Sequence, residues 1–226
     1  MMRLFTFLTG MVLLVPVVNA EPSSAVAFDV PTIKLLKSVD PAAGEALSKE
    51  IKCKKCHGDA GISDDEDDIN IAGMSASYIF KQLKDYQDKS RDERDMYKSV
   101  KDLDDKQLAE LAAWYASLEP AKANPNRVLT DEVRKLVVHG DPQRLLKACA
   151  SCHGRDGRGG QFDHPALAGQ HRTYLVDSMT EFKDGDREND IYGRMRDVSS
   201  RLTEAEIEAL ADYYALYLPP EDDDDE

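Results

Sequence analysis

The sequence predicts an all-α protein built from two tandem domains, each with about three main helices. Two observations carry this prediction. The pentapeptide Cys-x-x-Cys-His occurs twice, and the residues around the two copies superpose along nearly the whole chain. Apolar residues recur at helical spacing, and no segment shows a convincing strand alternation. A duplicated helical unit is therefore expected.

The last helix of each half is predicted from a shared start signal. Asp104 with Gln107, and Thr203 with Glu206, have the spacing of capping boxes. The apolar faces that follow comprise Leu108, Leu111, Ala112, Tyr115 and Leu118 in the first half and Ile207, Leu210, Ala211, Tyr214 and Leu218 in the second. These patterns predict two equivalent amphipathic helices.

Middle helices are predicted at about residues 77–88 and 173–183. Pro120 and Pro219 are expected to end the last helices. Three helices in about 95 residues form a thin core, so a bound apolar group is expected to complete it.

The repeat also predicts the domain boundaries. An offset of 96 residues superposes the two pentapeptides and Arg91 on Arg187, and an offset of 99 superposes the segments that follow. The expected units are a cleaved signal peptide (1–20), an N-terminal domain (21–120), a linker (121–125), a C-terminal domain (126–220) and an acidic tail (221–226).

The repeated pentapeptide is the attachment signature of c-type haem. It places Cys53, Cys56 and His57 in the first half and Cys149, Cys152 and His153 in the second. Each thiol can add to a haem vinyl group, and the adjacent imidazole is the proximal iron ligand. The sequence therefore predicts two covalently bound haem c groups.

Zinc, a disulfide and a thioredoxin-like redox pair are the alternatives for these cysteines. Paired zinc motifs usually lie about 15 to 20 residues apart, whereas 92 residues separate Cys56 from Cys149. No strand-helix-strand pattern surrounds either motif. Haem attachment is the favoured interpretation.

The second axial ligands are predicted from the repeat. After the signal peptide the chain has four methionines, and the repeat matches Met74 with Gln170 and Met179 with Leu83. Met96 and Met195 match each other, each in a predicted loop before the last helix. We expect them to bind iron opposite His57 and His153; the alternative is that they are packing residues.

An iron with both axial positions filled by protein has no open site for a substrate. A thioether ligand also raises the reduction potential relative to a second histidine. The predicted ligand set therefore favours electron transfer and not catalysis.

The N-terminus and the charge indicate the compartment and exclude one class of partner. Residues 1–20 combine a positive start, an apolar run and a small-residue cleavage site, which predicts export to the periplasm. An uncleaved membrane anchor is the alternative, but the run is short for a span. A net charge of -14 excludes nucleic acid as a partner.

Several motifs resemble the dihaem cytochrome c4 family, whose members consist of two class I cytochrome c domains. They are the repeated Cys-x-x-Cys-His-Gly and the stretches LAGQHRTYL, FKDGDR and YGRM of the second half. The resemblance implies a pseudo-twofold between the domains, with haem propionates approaching each other at their interface. It also implies a periplasmic electron carrier that is at most peripherally associated with the membrane. Such a carrier takes electrons from a quinol:cytochrome c oxidoreductase or dehydrogenase and passes them to a terminal oxidase or reductase.

The first half departs from the family pattern. The resemblance implies that the carbonyl of Pro165 accepts a hydrogen bond from the proximal histidine, but Ile69 stands at the matching position. The acidic insert at 64–68 is similar to the haem subunit of flavocytochrome c sulfide dehydrogenases. That similarity sets the alternative function, a dedicated subunit accepting electrons from a flavoprotein.

The acidic segments 64–68 and 221–226 predict redox partners with basic docking faces. Simple solvation of these runs is the alternative for the tail, and a calcium site at 64–68 lacks the spacing of an EF-hand loop. An enzyme, such as a peroxidase or a thiosulfate dehydrogenase, is the third function class. It is disfavoured because both irons are expected to be closed.

Overall fold

A computed structural model describes residues 24–127 and 129–215. The predicted signal peptide, the acidic tail, Leu218 and Pro219 lie outside this range. Helices dominate the described residues, and their only β-structure consists of isolated bridges. None of the helices in this range has the length and apolar character needed to cross a bilayer. The all-α prediction is confirmed.

The helices follow one another in two comparable sets. Those of the first half are α1 (Val30–Ser38), α2 (Pro41–Glu50), α3 (Lys54–His57), α4 (Ala76–Asp88), α5 (Arg94–Val100) and α6 (Asp105–Ser117). Those of the second half are α7 (Asp131–Arg134), which continues as a π-helix (Lys135–His139), α8 (Ala150–His153), α9 (Arg172–Asp184), α10 (Arg194–Ser200) and α11 (Glu204–Tyr214). Short 3₁₀ turns cover Pro142–Arg144 and Ile191–Gly193.

The predicted middle and last helices are all present. The expected middle helices correspond to α4 and α9, within one residue at each end. Both predicted capping boxes form, at Asp104 with Gln107 and at Thr203 with Glu206. The N-terminal helices α1, α2 and α7 were not located from the sequence, because their apolar residues do not form a continuous stripe.

Each half has its own hydrophobic core. In the first half, α4 and α6 supply most of the buried side chains, among them Leu108 and Ala112. In the second half, α11 supplies Ile207 and Ala211, which pack with residues of α7 and α9. Gly44 lies where α2 crosses α6, and a Cβ there would lie 2.0 Å from the Glu110 carbonyl oxygen. This crossing explains why the position is glycine.

The two halves meet through buried polar contacts. The Asn70 N–H donates to Gln170 Oε1 (2.8 Å), and Gln170 Nε2 donates back to the Asn70 carbonyl (2.9 Å). The Asn70 side chain also donates to the Gly169 carbonyl (2.9 Å). His171 Nε2 is 3.1 Å from the Ser63 carbonyl oxygen. The region after each Cys-x-x-Cys-His motif therefore contacts its counterpart.

Candidate functional site

Each Cys-x-x-Cys-His motif forms a short helix at the wall of a large cavity. The first cavity, of about 820 Å³, is lined by Cys53, Cys56 and His57. The second cavity, of about 380 Å³, is lined by Cys149, Cys152 and His153. Both volumes are in the range of ligand and cofactor sites, about 300–1,000 Å³. The four cysteines form no disulfide bonds.

Both motif histidines are buried and oriented by a backbone carbonyl. His57 Nδ1 is 3.0 Å from the Ile69 carbonyl oxygen, and His153 Nδ1 is 2.9 Å from that of Pro165. Because a carbonyl only accepts, each Nδ1 carries the proton and each Nε2 keeps its lone pair for a metal. Burial lowers the pKa of both imidazoles, which favours this neutral form.

The missing proline of the first half therefore leaves the hydrogen bond in place. The acceptor belongs to the main chain, so Ile69 supplies the same oxygen as Pro165. The difference between the halves lies in backbone freedom, because proline fixes its own φ angle and isoleucine does not.

The matched methionines line the two cavities, Met96 the first and Met195 the second. They do not lie in loops, as predicted, but in the first turns of α5 and α10. The Glu93 side chain caps the Asp95 N–H, and Asp190 accepts from the Arg196 N–H (2.9 Å). These two acidic side chains satisfy the N–H groups that open each short helix.

The two remaining methionines also lie beside the cavities. Met74 lines both, and Met179 lines the second. The sequence repeat, and not the cavity lining, distinguishes Met96 and Met195 from them.

The two cavities share a wall, formed by residues of both halves. The residues that line both cavities are Ile69, Met74, Tyr78, Gln82, Tyr174, Ser178 and Arg187. Groups bound in the two cavities would therefore be separated by single side chains. That proximity suits electron exchange between them.

Two arginines of this region have neutral partners. Arg187 donates to Asn189 (2.9 Å), Ser178 (3.3 Å) and Gln82 (3.3 Å). Arg91 donates to the Gln82 (2.9 Å) and Tyr174 (3.1 Å) oxygens. Neither guanidinium pairs with a carboxylate among the described residues. Arg187 is buried and Arg91 half-buried, and cations in such positions without a carboxylate partner provide a site for an anionic ligand.

The positive charges of Arg91 and Arg187 change the pKa of the neighbouring Tyr174. Burial alone would raise the pKa of Tyr174, but the guanidiniums of Arg91 and Arg187 lower it to about 7. The repeat superposes Arg91 on Arg187, and this match was the sequence signal that could have identified them as site residues. No role was assigned to them from the sequence.

The residues present fit haem c. Free thiol pairs can form the two thioether bonds, the oriented imidazoles can bind iron, and Arg91 and Arg187 can neutralise propionates. When bound, haem supplies one-electron chemistry.

Comparisons with known proteins decide the family. The family model described as cytochrome c matches residues 142–214. Cytochrome c4 of Thiocapsa roseopersicina is 35% identical over 178 residues, which cover 77% of this chain and 91% of that protein. The chain belongs to the cytochrome c4 family. The solved structure of reduced cytochrome c4 from Pseudomonas stutzeri has a TM-score of 0.73, with 30% identity, 80% of this chain covered and 100% of that one.

Another relative is described as a thiosulfate dehydrogenase electron acceptor, from Thiomonas intermedia. It is 31% identical over 191 residues, which cover 82% of this chain and 88% of that protein. The protein is accordingly a dihaem c-type cytochrome that transfers electrons and is not an enzyme. Its two haem c groups are bound covalently.

Proposed function

We propose that this cytochrome is a periplasmic carrier of single electrons between a quinol:cytochrome c oxidoreductase or dehydrogenase and a terminal oxidase or reductase. Export through residues 1–20 and domains at 21–120 and 126–220 belong to the proposal. The observation that carries it is the pair of matched cavities with a common wall, each lined by a Cys-x-x-Cys-His motif and a methionine.

In this proposal Cys53, Cys56, Cys149 and Cys152 hold the two haems. His57 with Met96 and His153 with Met195 fill the axial positions. Two filled axial positions favour outer-sphere electron transfer, because no ligand has to leave the iron before an electron moves.

Replacing the proposed methionines one at a time tests this ligand set. Leucine keeps most of the side-chain volume but cannot bind iron. We expect Met96→Leu and Met195→Leu each to remove about half of the methionine-to-iron charge-transfer absorbance and to lower one of the two reduction potentials. The measurement is a spectroscopic redox titration of the ferric and ferrous protein.

Met179→Leu is the matched control, because Met179 lines the second cavity and the first half has Leu83 at its position. It should leave both potentials and the absorbance unchanged. A loss of absorbance in Met179→Leu, with none in Met195→Leu, would assign the second iron to Met179 instead.

The acidic lining of the first cavity supports a redox partner with a basic docking face. Its lining contains eight acidic and four basic side chains, whereas that of the second cavity contains three acidic and four basic ones. The acidic set comprises Asp67, Asp68, Asp92, Glu93, Asp95, Asp177, Glu181 and Asp186. We propose that a partner with a basic face docks at the first cavity.

Stopped-flow electron transfer to a basic monohaem cytochrome tests this docking. Asp67→Asn/Asp68→Asn should slow the second-order rate several-fold at low salt, and the difference should vanish near 1 M salt, where the screening length is about 3 Å. Glu132→Gln/Glu204→Gln removes the same charge from exposed positions of the second half and should change the rate little. A rate independent of ionic strength would rule out electrostatic docking.

A second candidate donor is a thiosulfate dehydrogenase. The relative from Thiomonas intermedia supports it through its description as the electron acceptor of such an enzyme. Reduction of this cytochrome by a purified thiosulfate dehydrogenase with thiosulfate, compared with reduction by a flavoprotein sulfide dehydrogenase with sulfide, separates this candidate from a flavoprotein donor.

A further inference from the structure

Arg194, the residue before Met195, joins three parts of the second half. Its Nη2 donates to Asp163 Oδ2 (2.7 Å), its Nη1 donates to His164 Nε2 (2.8 Å), and its Nε donates to the Ile191 carbonyl (2.9 Å). We call Asp163, His164 and Arg194 the clamp. Because a guanidinium is planar and its donors are fixed, three partners on it also fix their relative positions.

The clamp connects the two sides of the proposed second haem site. Asp163 and His164 directly precede Pro165, whose carbonyl accepts the hydrogen bond from His153. Arg194 directly precedes Met195. The segment that orients the proximal histidine is therefore tied to the segment that carries the proposed distal ligand.

The chain before Met195 needs such an anchor. Tyr192 has φ 62° and Gly193 has φ 64°, so two consecutive residues are left-handed. For a tyrosine this conformation is unfavourable, because its Cβ lies too close to the following carbonyl oxygen. The Tyr192 side chain is 91% exposed and has little packing to hold the turn. The Nε bond to the Ile191 carbonyl and the ion pair with Asp163 hold it instead.

Within residues 24–127, which the structure describes, the first half has no such clamp. The repeat superposes Asp163, His164 and Arg194 on Asp67, Asp68 and Asp95. Three carboxylates cannot pair with one another, and Asp95 pairs instead with Lys98 (2.7 Å) on its own helix.

We propose that Arg194 is a positioning residue for the second haem. Through the clamp it holds Met195 in place and makes this ligand harder to displace than Met96. The inference rests on the proposed assignment of Met96 and Met195 as axial ligands.

Displacement of methionine by cyanide at the ferric irons tests the inference. The two irons should react in two phases, and Met195→Leu identifies the second-haem phase because it removes the competing ligand. We expect Arg194→Met to accelerate this phase about ten- to a hundredfold and to leave the first-haem phase unchanged. Asp163→Asn, which keeps the hydrogen-bond geometry but removes the ion pair, should accelerate it less.

Arg94→Met is the control, because Arg94 lies two residues before Met96 but is 82% exposed and pairs with Asp95 only at 3.8 Å. It should change neither phase. Equal acceleration of both phases in Arg194→Met would indicate that the whole protein has become less rigid, and would overturn the proposal. A change of the second-haem phase below twofold would overturn it too.

If Arg194→Met does not fold, the cyanide reaction of Asp163→Asn decides instead. Equal acceleration of both phases, or a change of the second-haem phase below twofold, would then overturn the proposal. An unaltered cyanide reaction in Met195→Leu would instead overturn the ligand assignment itself. The two failures are therefore distinguishable.

Discussion

Lys81 is a buried cation at the boundary between the halves. Its side chain is 2% exposed, and its Nζ lies 2.5 Å from Asp85 Oδ2 and also donates to the Asn189 carbonyl. Asn189 Nδ2 donates to the same carboxylate (2.7 Å), and Ser24 donates to its other oxygen (2.7 Å). Burial lowers the pKa of Lys81, and Asp85 opposes that shift. Each of the two buried charges, Lys81 and Asp85, therefore depends on the other for its stabilisation.

Lys81→Met should reduce the free energy of unfolding by about 3–5 kcal/mol, because it leaves Asp85 charged and buried. The double variant Lys81→Met/Asp85→Asn should recover at least half of that loss. Urea unfolding followed by far-ultraviolet circular dichroism measures both. Lys84→Met, on the same helix but in a partly exposed pair with Asp105, should cost about 1 kcal/mol or less. A loss that small for Lys81→Met would contradict this account.

Both α6 and α11 begin with a capping box, but that of α11 also contains an ion pair. The Arg144 guanidinium donates to both carboxylate oxygens of Glu206 (2.8 and 2.9 Å), the residue that completes the α11 capping box. In the first half Gln107 replaces Glu206, and Ser48 replaces Arg144 and bonds the Tyr115 hydroxyl (2.8 Å). The hydrogen bond from Arg144 lowers the pKa of Glu206 to about 2, from an ordinary value of 4.5. The cap of α11 is therefore sensitive to acid.

The sign of the pH effect follows from this lowered pKa. The stabilisation is fully present above about pH 4.5 and is lost as the pH falls toward about 2. Arg144→Gln should therefore destabilise the protein at neutral pH, and the difference from the wild type should shrink in acid. Denaturant unfolding at a series of pH values measures it.

Arg172→Gln is the control for Arg144→Gln, because Arg172 pairs with Glu208 and Asp212 at an exposed position. Its effect should be small and nearly independent of pH. Arg144 also pairs with Asp141 (3.1 Å), whose pKa is lowered as well. A loss in Arg144→Gln that stayed constant down to pH 2 would contradict a role for either carboxylate.

At the scale of the whole molecule, Asn70 and Gln170 hold the halves together. Both are nearly fully buried, and they exchange two hydrogen bonds between main chain and side chain. Their repeat counterparts are Ala166 and Met74, so the contact exists once and the pseudo-twofold is broken there. Removing the Gln170 amide leaves the Asn70 N–H and C=O buried without these partners.

Gln170→Ala should cost about 2–4 kcal/mol and divide the thermal unfolding of the holoprotein into two transitions. Scanning calorimetry measures this. Gln87→Ala also removes hydrogen bonds, to the Val100 and Leu103 carbonyls and from Lys84, but within the first half. It should destabilise without changing the coupling between the halves. A single, equally cooperative transition in Gln170→Ala would show that other contacts hold the interface.

The duplicated helical fold, the haem count and the capped helices could be predicted from the sequence, because these depend on residues close together in the chain. The pairing of Thr203 with Glu206, for example, is complete within one helical turn. The Cys-x-x-Cys-His motifs could be recognised for the same reason, because each lies within five consecutive residues. The tandem repeat then singled out Met96 and Met195 as candidate ligands.

Contacts between side chains that are far apart in the chain became known from the three-dimensional structure alone. The Asn70–Gln170 contact, the Arg187–Gln82 bond and the clamp at Arg194 join residues that are 100, 105 and 30 or 31 positions apart. No local pattern encodes such pairs, because they depend on how packed helices bring distant side chains together. The same packing showed that the Ile69 carbonyl serves as well as that of Pro165.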